Sequence, residues 1–167
     1  MNDIFHLIGH LPVEHDSRPQ RALEIGKAAE HLVCADLILN GYRAYLSDQG
    51  LPYDLVIDLD SKLLRVQVKA TYAPSPVPEI NHTPKYKWHV KRIGKNGSRK
   101  IVGDEFDILA LVALDVRKIA YIPIDSNVPS CSMIRPIGVK KGFTAKHTRY
   151  DAIDEHPIQR ALESMKL

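Results

Sequence analysis

The stretch DLVIDLDSKLLRVQVKA, residues 54–70, decides the fold of this 167-residue chain. Apolar residues occupy every second position in both of its halves, and Asp60-Ser61 at its centre is a turn signal. Successive side chains of a strand point to opposite faces, so the pattern predicts an antiparallel hairpin that buries one face.

Three polar side chains on the other face of this hairpin are expected to converge. Twelve residues separate Asp54 from Gln67, a spacing that places Asp54 opposite Gln67 and Lys69. A carboxylate, an amide oxygen and an ammonium at one spot suit a hard cation such as Mg²⁺, which prefers oxygen ligands. A lysine there can orient a water or stabilise charge on a phosphate, which suits phosphodiester hydrolysis. The alternative is that Arg65, Gln67 and Lys69 are simply the solvated face of a sheet.

Helix and strand patterns surround the hairpin. A capping-box spacing from Ser17 to Gln20, followed by apolar residues at helical spacing, predicts a helix over 19–39 that ends at Asn40-Gly41. Alternating or continuous apolar runs predict the strands 42–46, 54–59, 64–70, 86–92, 106–114 and 118–124, and a short C-terminal helix is predicted over 154–165. Residues 73–84 carry four prolines and are predicted to be a loop, whereas 126–150 have no readable pattern.

Composition excludes several classes of protein. Hydrophobic residues make up 44% and charged residues 26% of the chain, an ordinary globular balance. No window approaches about 18 apolar residues, so no membrane span is predicted, and residues 1–13 lack the pattern of a signal peptide. The two cysteines, Cys34 and Cys131, form no C-x-x-C, which favours a reducing, cytoplasmic setting. No zinc-site spacing, nucleophile triad or glycine-rich phosphate loop is present.

Charge is distributed unevenly along the chain. Residues 1–60 contain 4 Lys or Arg against 10 Asp or Glu, whereas residues 61–100 contain 10 against 1. Seven cations, with no acid between Ile80 and Gly103, are predicted to bind DNA phosphates: Lys85, Lys87, Lys91, Arg92, Lys95, Arg99 and Lys100. They interleave with Tyr86 and Trp88, and an Asn96-Gly97 turn predicts a two-stranded basic ribbon. The alternative is an ordinary solvated hairpin with lysines on an exposed edge.

An ordered set of motifs over about residues 24–72 resembles the PD-(D/E)XK nuclease superfamily. Gly26-Lys27-Ala28-Ala29-Glu30 resembles its helical GxxxE motif, Pro52-Tyr53-Asp54-Leu55-Val56 its acidic motif, and Gln67-Val68-Lys69 its (D/E)xK motif in the Q-x-K variant. That variant occurs in bacterial members, including intron-encoded homing endonucleases. Archaeal-type Holliday junction resolvases share the same layout. Residues 106–124 resemble the later core strands.

The resemblance implies an α/β, restriction-endonuclease-like core, in which helices flank a central mixed β-sheet and the basic hairpin is an addition. We expect one nuclease-like domain over residues 1–167, with its core at about 19–125 and a C-terminal extension at 126–167. Catalytic roles are implied for Glu30, Asp54, Gln67 and Lys69. Asp54, Gln67 and Glu30 would bind Mg²⁺, for which Mn²⁺ can substitute. Glu30 has an alternative as a solvated or capping carboxylate of an amphipathic helix.

The resemblance therefore implies a metal-dependent endodeoxyribonuclease, specific for a site or a DNA structure in the manner of homing enzymes or resolvases. Its partner would be double-stranded DNA, with no membrane. Because one site cuts one strand, cleavage of a duplex favours a homodimer or homotetramer. The neutral Gln67 supports an alternative, namely a non-catalytic DNA-binding protein on the same scaffold. The usual helix after the x-K strand is not visible in the sequence, where prolines and the basic strand stand instead.

Overall fold

The computed structural model describes residues 19–75, 84–94, 97–100, 105–124, 131–134, 136–137 and 152–167. Its first helix, α1, spans Pro19–Leu39, as predicted. Ala29, Val33 and Leu37 are one turn apart and fully buried, so they form the face that packs on the sheet. Gly41 has a φ of +89°, the left-handed conformation that ends a helix at little cost to glycine. The predicted cap, Ser17, lies outside the described residues.

A mixed sheet forms the centre of the fold. The strands are β1 (Arg43–Leu46), β2 (Leu55–Asp58), β3 (Leu63–Thr71), β4 (Tyr86–His89), β5 (Lys91–Gly94), β6 (Gly97–Lys100), β7 (Ile108–Ala113), β8 (Lys118–Pro123) and β9 (Cys131–Ile134). Five of them pair in the order β1-β2-β3-β7-β8. β3 and β7 run parallel and the other neighbours antiparallel, which confirms the predicted α/β fold with a mixed sheet.

The sheet buries both of its faces at its centre, and β7 shows this most clearly. All six of its residues are 0% exposed, as the continuous apolar run predicts. Ile108, Ala110 and Val112 pack in a core with α1, whereas Leu109 and Leu111 pack on the opposite side with the aromatic residues of β4.

The basic segment differs from the predicted ribbon. The predicted strand 86–92 is interrupted at Val90, and its first half, β4, pairs with β9 rather than with the hairpin. The reason is burial, because Tyr86 and Trp88 are each 1% exposed and Trp88 Nε1 donates to the backbone oxygen of Val112 at 3.1 Å. β5 and β6 do form a hairpin, in which Gly94 pairs with Gly97, so Gly97 belongs to a strand rather than to the predicted Asn96-Gly97 turn.

The C-terminal residues differ from prediction as well. The predicted helix 154–165 is divided into a 3-10 helix, Ile153–Glu155, and the helix α2, Ile158–Ser164. Pro157 stands at the N-cap of α2, because its ring disfavours a helical conformation in the residue before it. Buried residues of α2 share the core that contains α1. No helix in the described part of the chain is long and apolar enough to cross a membrane.

A carboxylate clamp joins β3 to the start of β7. Asp107 accepts hydrogen bonds from Arg65 through the backbone N–H (2.8 Å), Nε (3.1 Å) and Nη2 (3.1 Å). Burial alone would raise the pKa of Asp107, but the hydrogen bonds and charge of Arg65 outweigh burial and lower the pKa below its ordinary value. The clamp therefore fixes the strand that carries Gln67 and Lys69 against its parallel neighbour.

We predict that Asp107→Ala lowers the free energy of unfolding at neutral pH by roughly 1–3 kcal/mol, because Arg65 loses its charged partner. A carboxyl with a lowered pKa contributes stability above its unfolded pKa and loses it as the pH falls through the folded pKa. The difference between the wild type and the variant should therefore shrink in acid. Urea unfolding between pH 7 and pH 3 measures it, with the exposed Asp154→Ala as control. A difference that does not change with pH would contradict the clamp.

Candidate active site

Asp54 stands directly before β2, in the position that the hairpin register requires. Its backbone N–H donates to Val66 at 2.8 Å, and its backbone oxygen accepts from the N–H of Ser47 at 2.9 Å. Leu55 pairs with Val66, so Asp54 lies opposite Gln67. Its carboxylate accepts hydrogen bonds from Gln67 Nε2 and from the backbone N–H of Val68, the latter at 2.7 Å. The expected meeting of Asp54 with Gln67 is therefore present.

Gln67 is 6% exposed. In the described part of the chain, no other polar or charged residue is buried. Its amide Nε2 donates to Asp54 Oδ2 and to the backbone oxygen of Val68 at 3.3 Å. A neutral amide can be buried against a carboxylate without repulsion, whereas a glutamate in this place would need a cation beside it. In this arrangement Gln67 orients Asp54. That its amide oxygen binds a metal stays a prediction.

Lys69 lies two residues beyond Gln67 on β3, so the two side chains share a face of the strand. In the parallel register Gln67 stands beside Leu109 and Lys69 beside Leu111, on the side of the sheet away from α1. Lys69 is half-buried. The structure thus places Lys69 on the face and strand that the sequence predicts, and its catalytic role stays a prediction.

Glu30 of α1 shares a cavity with Asp54. The cavity has a volume of about 180 Å³, and its other lining residues are Lys27, Ser47, Asp48, Gln49, Gly50 and Leu51. Gln67 and Lys69 are not among the lining residues. The other two acids of the helix are engaged elsewhere: Glu24 pairs with Arg21 at 3.3 Å, and Asp36 accepts a 2.6 Å hydrogen bond from the hydroxyl of Tyr121. Of the described acids of α1, Glu30 is therefore the one at the cavity.

The cavity suits a hard cation that keeps part of its water shell. Among the described residues, no three His, Cys, Asp or Glu side chains form a cluster that could hold a metal ion. Mg²⁺ does not require one, since it is commonly held by one or two carboxylates, waters and substrate phosphates. Glu30 and Asp54 supply two carboxylates on one cavity, and Gln67 contacts Asp54 through its amide Nε2. The donor set fits Mg²⁺ or Mn²⁺.

Three residues that the sequence did not single out also line the cavity, namely Lys27, Ser47 and Asp48. Lys27 Nζ donates to Glu30 Oε2 at 2.7 Å, and the i,i+3 spacing of this pair is visible in the GxxxE segment. Ser47 Oγ donates to the backbone oxygen of Tyr53 at 2.6 Å, which closes the loop that leads to Asp54. Asp48 lies on the cavity wall in that loop, but no sequence pattern distinguishes Asp48 from a turn residue.

The predicted DNA-binding cations lie on two separate elements. Lys87 is exposed between the buried Tyr86 and Trp88, as the alternation predicts, and Lys85 precedes it in an isolated bridge with Ser75. In the hairpin, Lys91 is paired with Lys100 and Arg92 with Arg99. Lys95 lies outside the described residues.

Comparisons with known proteins point to one family. The sequence model of the PD-(D/E)XK endonuclease family matches residues 21–154. A solved structure of a bacterial homing endonuclease superposes with a TM-score of 0.57 at 20% identity, covering 84% of this chain and 91% of that one. At this identity the superposition establishes the fold alone. No curated protein matches the sequence.

We predict that Gln67→Glu lowers the melting temperature in EDTA, because it presses a second carboxylate against Asp54 in a buried position. Added Mg²⁺ should raise the melting temperature of this variant more than that of the wild type, since binding to the folded state stabilises it. Gln67→Ala serves as control, because it loses the hydrogen bond without adding charge. Equal Mg²⁺-induced shifts in both variants would show that position 67 does not face the metal.

Proposed function

The chain belongs to the PD-(D/E)XK endonuclease family, and we propose that it is a Mg²⁺-dependent enzyme that hydrolyses phosphodiester bonds of double-stranded DNA. One observation carries the proposal: Asp54, held by the amide of Gln67 and the N–H of Val68, shares a cavity with Glu30 from the helix. Two carboxylates from separate elements on one cavity are typical of a metal-assisted hydrolase rather than of a solvated sheet face.

Each residue of the site has a proposed role. Asp54 and Glu30 hold the metal, and Gln67 keeps the Asp54 carboxylate turned toward it while its amide oxygen completes the ligand set. When bound, Mg²⁺ or Mn²⁺ polarises a phosphate oxygen and favours deprotonation of water. Lys69 donates hydrogen bonds to the attacking water or to the scissile phosphate, where negative charge develops.

The basic segment is proposed to bind the phosphates of the duplex. In the register of the hairpin Lys91 stands opposite Lys100 and Arg92 opposite Arg99, so the backbone places four cationic residues at successive paired positions. Lys and Arg at this density favour contact with the phosphates of a polyanion. Lys85 and Lys87, with Lys95, extend the same positive segment.

The described part of the chain provides one candidate site. Because one site cuts one strand, cleavage of both strands of a duplex favours two copies related by symmetry, and we propose a homodimer or homotetramer. We also propose a target defined by a site or by a DNA structure, as in the homing enzymes or resolvases that the motifs resemble. The fold of the bacterial homing endonuclease is consistent with this but does not choose between the two.

A second candidate is a DNA-binding protein without catalysis. It is favoured by one observation: Asp54 already receives two hydrogen bonds from β3, so the carboxylate is satisfied without a metal. Asp54→Ala separates the two candidates.

We predict that Asp54→Ala lowers the cleavage rate at least about a hundredfold while DNA affinity stays close to that of the wild type, because removal of an anion does not weaken contact with a polyanion. The assay compares duplex, four-way junction and single-stranded DNA with Mg²⁺ and with EDTA. Asp58→Ala, at the far end of β2, is the matched control. Wild-type cleavage by Asp54→Ala would overturn the site, and absence of cleavage by the wild-type protein on all three substrates would favour the second candidate.

We predict that replacing Lys87, Lys91 and Lys95 together by Ala lowers the slope of log K against log salt by up to about 2.7, three times the value of about 0.9 for each phosphate contact. Affinity should fall by a similar factor for all sequences, because phosphates carry no sequence information. Fluorescence anisotropy at several salt concentrations measures the slope. A triple Ala variant of the exposed Lys62, Lys118 and Lys166 controls for net charge. An unchanged slope in the triple variant of Lys87, Lys91 and Lys95 would indicate that the basic segment is a solvated sheet edge that does not contact phosphates.

A further inference from the structure

Lys27 and Glu30 form an ion pair on the wall of the cavity that Asp54 completes. We propose that Lys27 couples metal binding to DNA binding: its ammonium holds Glu30 while no metal is present, and it moves to a phosphate of DNA when the metal binds. The inference rests on the proposed metal-dependent function and adds to it a residue that controls when the site is loaded.

The geometry allows Lys27 to exchange partners without a change of the fold. Its Nζ lies 2.7 Å from Glu30 Oε2, and the two side chains are 45% and 20% exposed. Both residues project from the same turn of α1, so release of Glu30 needs only rotation of the flexible lysine side chain. Lys27 is thus the more exposed partner of the pair, and it lines the same cavity as Asp54.

Electrostatics favour the exchange. The Lys27 ammonium, which is charged at neutral pH, lies 2.7 Å from an oxygen of Glu30. An ammonium and a divalent cation repel each other, and both need the oxygens of Glu30. The metal therefore competes with Lys27 when it binds to the free protein.

DNA changes this competition, because a phosphate offers Lys27 a second anionic partner. If the phosphate draws Lys27 from Glu30, bound DNA increases the affinity for the metal, and the metal increases the affinity for DNA by the same factor. The site then binds the metal fully only when DNA is bound, which limits metal occupancy in the absence of DNA.

A second ion pair on the helix provides the matched control. Arg21 and Glu24 have the same i,i+3 spacing, at 3.3 Å, with side chains that are 41% and 64% exposed. Neither residue lines the cavity. Loss of this pair removes one positive charge from the same helix without altering the metal site.

The test measures binding of MgCl₂ to the free protein by titration calorimetry, and binding of a non-hydrolysable phosphorothioate duplex in saturating MgCl₂ by anisotropy. Lys27→Met should bind Mg²⁺ roughly tenfold more tightly than the wild type, since a cation close to the metal is removed. It should also bind DNA more weakly, with a salt slope smaller by up to about 0.9. Lys27→Arg should restore the weaker metal binding, and Arg21→Met should leave the Mg²⁺ affinity at the wild-type value.

Unchanged or weaker Mg²⁺ binding by Lys27→Met overturns the inference, and so does an unchanged DNA affinity. Asp54→Ala separates this failure from failure of the proposed function. If Asp54→Ala abolishes Mg²⁺ binding while Lys27→Met leaves it unchanged, the metal site holds and Lys27 is an ordinary surface partner of Glu30. If Asp54→Ala binds Mg²⁺ as the wild type does, the metal site itself is wrong and the inference falls with it.

Discussion

The site depends on the two hydrogen bonds that the Asp54 carboxylate receives from β3. They come from the Gln67 amide and the Val68 backbone N–H, and they turn a carboxylate at the start of β2 toward its neighbouring strand. The hairpin register provides them, because a slip of one residue would place Gln67 on the face that packs against α1. Folding of the hairpin therefore brings Asp54 and Gln67 together.

The neutral amide at position 67 affects both the stability of the metal-free fold and the negative charge of the site. It gives the half-buried Asp54 a polar partner without a bound cation, which supports a stable metal-free fold. It also adds no negative charge, so the charge that attracts a metal rests on the carboxylates that line the cavity, Asp48, Asp54 and Glu30, the last of which is paired with Lys27. A substrate phosphate would supply the missing negative charge.

Much of this arrangement was predictable, because the apolar alternation of 54–70 fixes the register and the register brings Asp54 to Gln67. The pairing of β4 with β9 was not predictable, since CSMI has no alternation and its partner lies more than 40 residues away in the sequence. Lys27 was visible beside Glu30 but had no signal beyond an ordinary helical ion pair. The pairing of β4 with β9 depends on long-range burial, and the place of Lys27 at the site depends on the shape of the cavity. Neither burial nor cavity shape is a local property of the sequence.

We propose that Asp54 and Glu30 bind the same metal ion. Anomalous diffraction from crystals grown with Mn²⁺ and a duplex tests this most directly, because the signal locates the ion without reference to activity. A peak is expected in the cavity at about 2.1 Å from an oxygen of each carboxylate. An ion bound elsewhere, with Glu30 still paired to Lys27 and Asp54 more than about 4 Å from the ion, would contradict it.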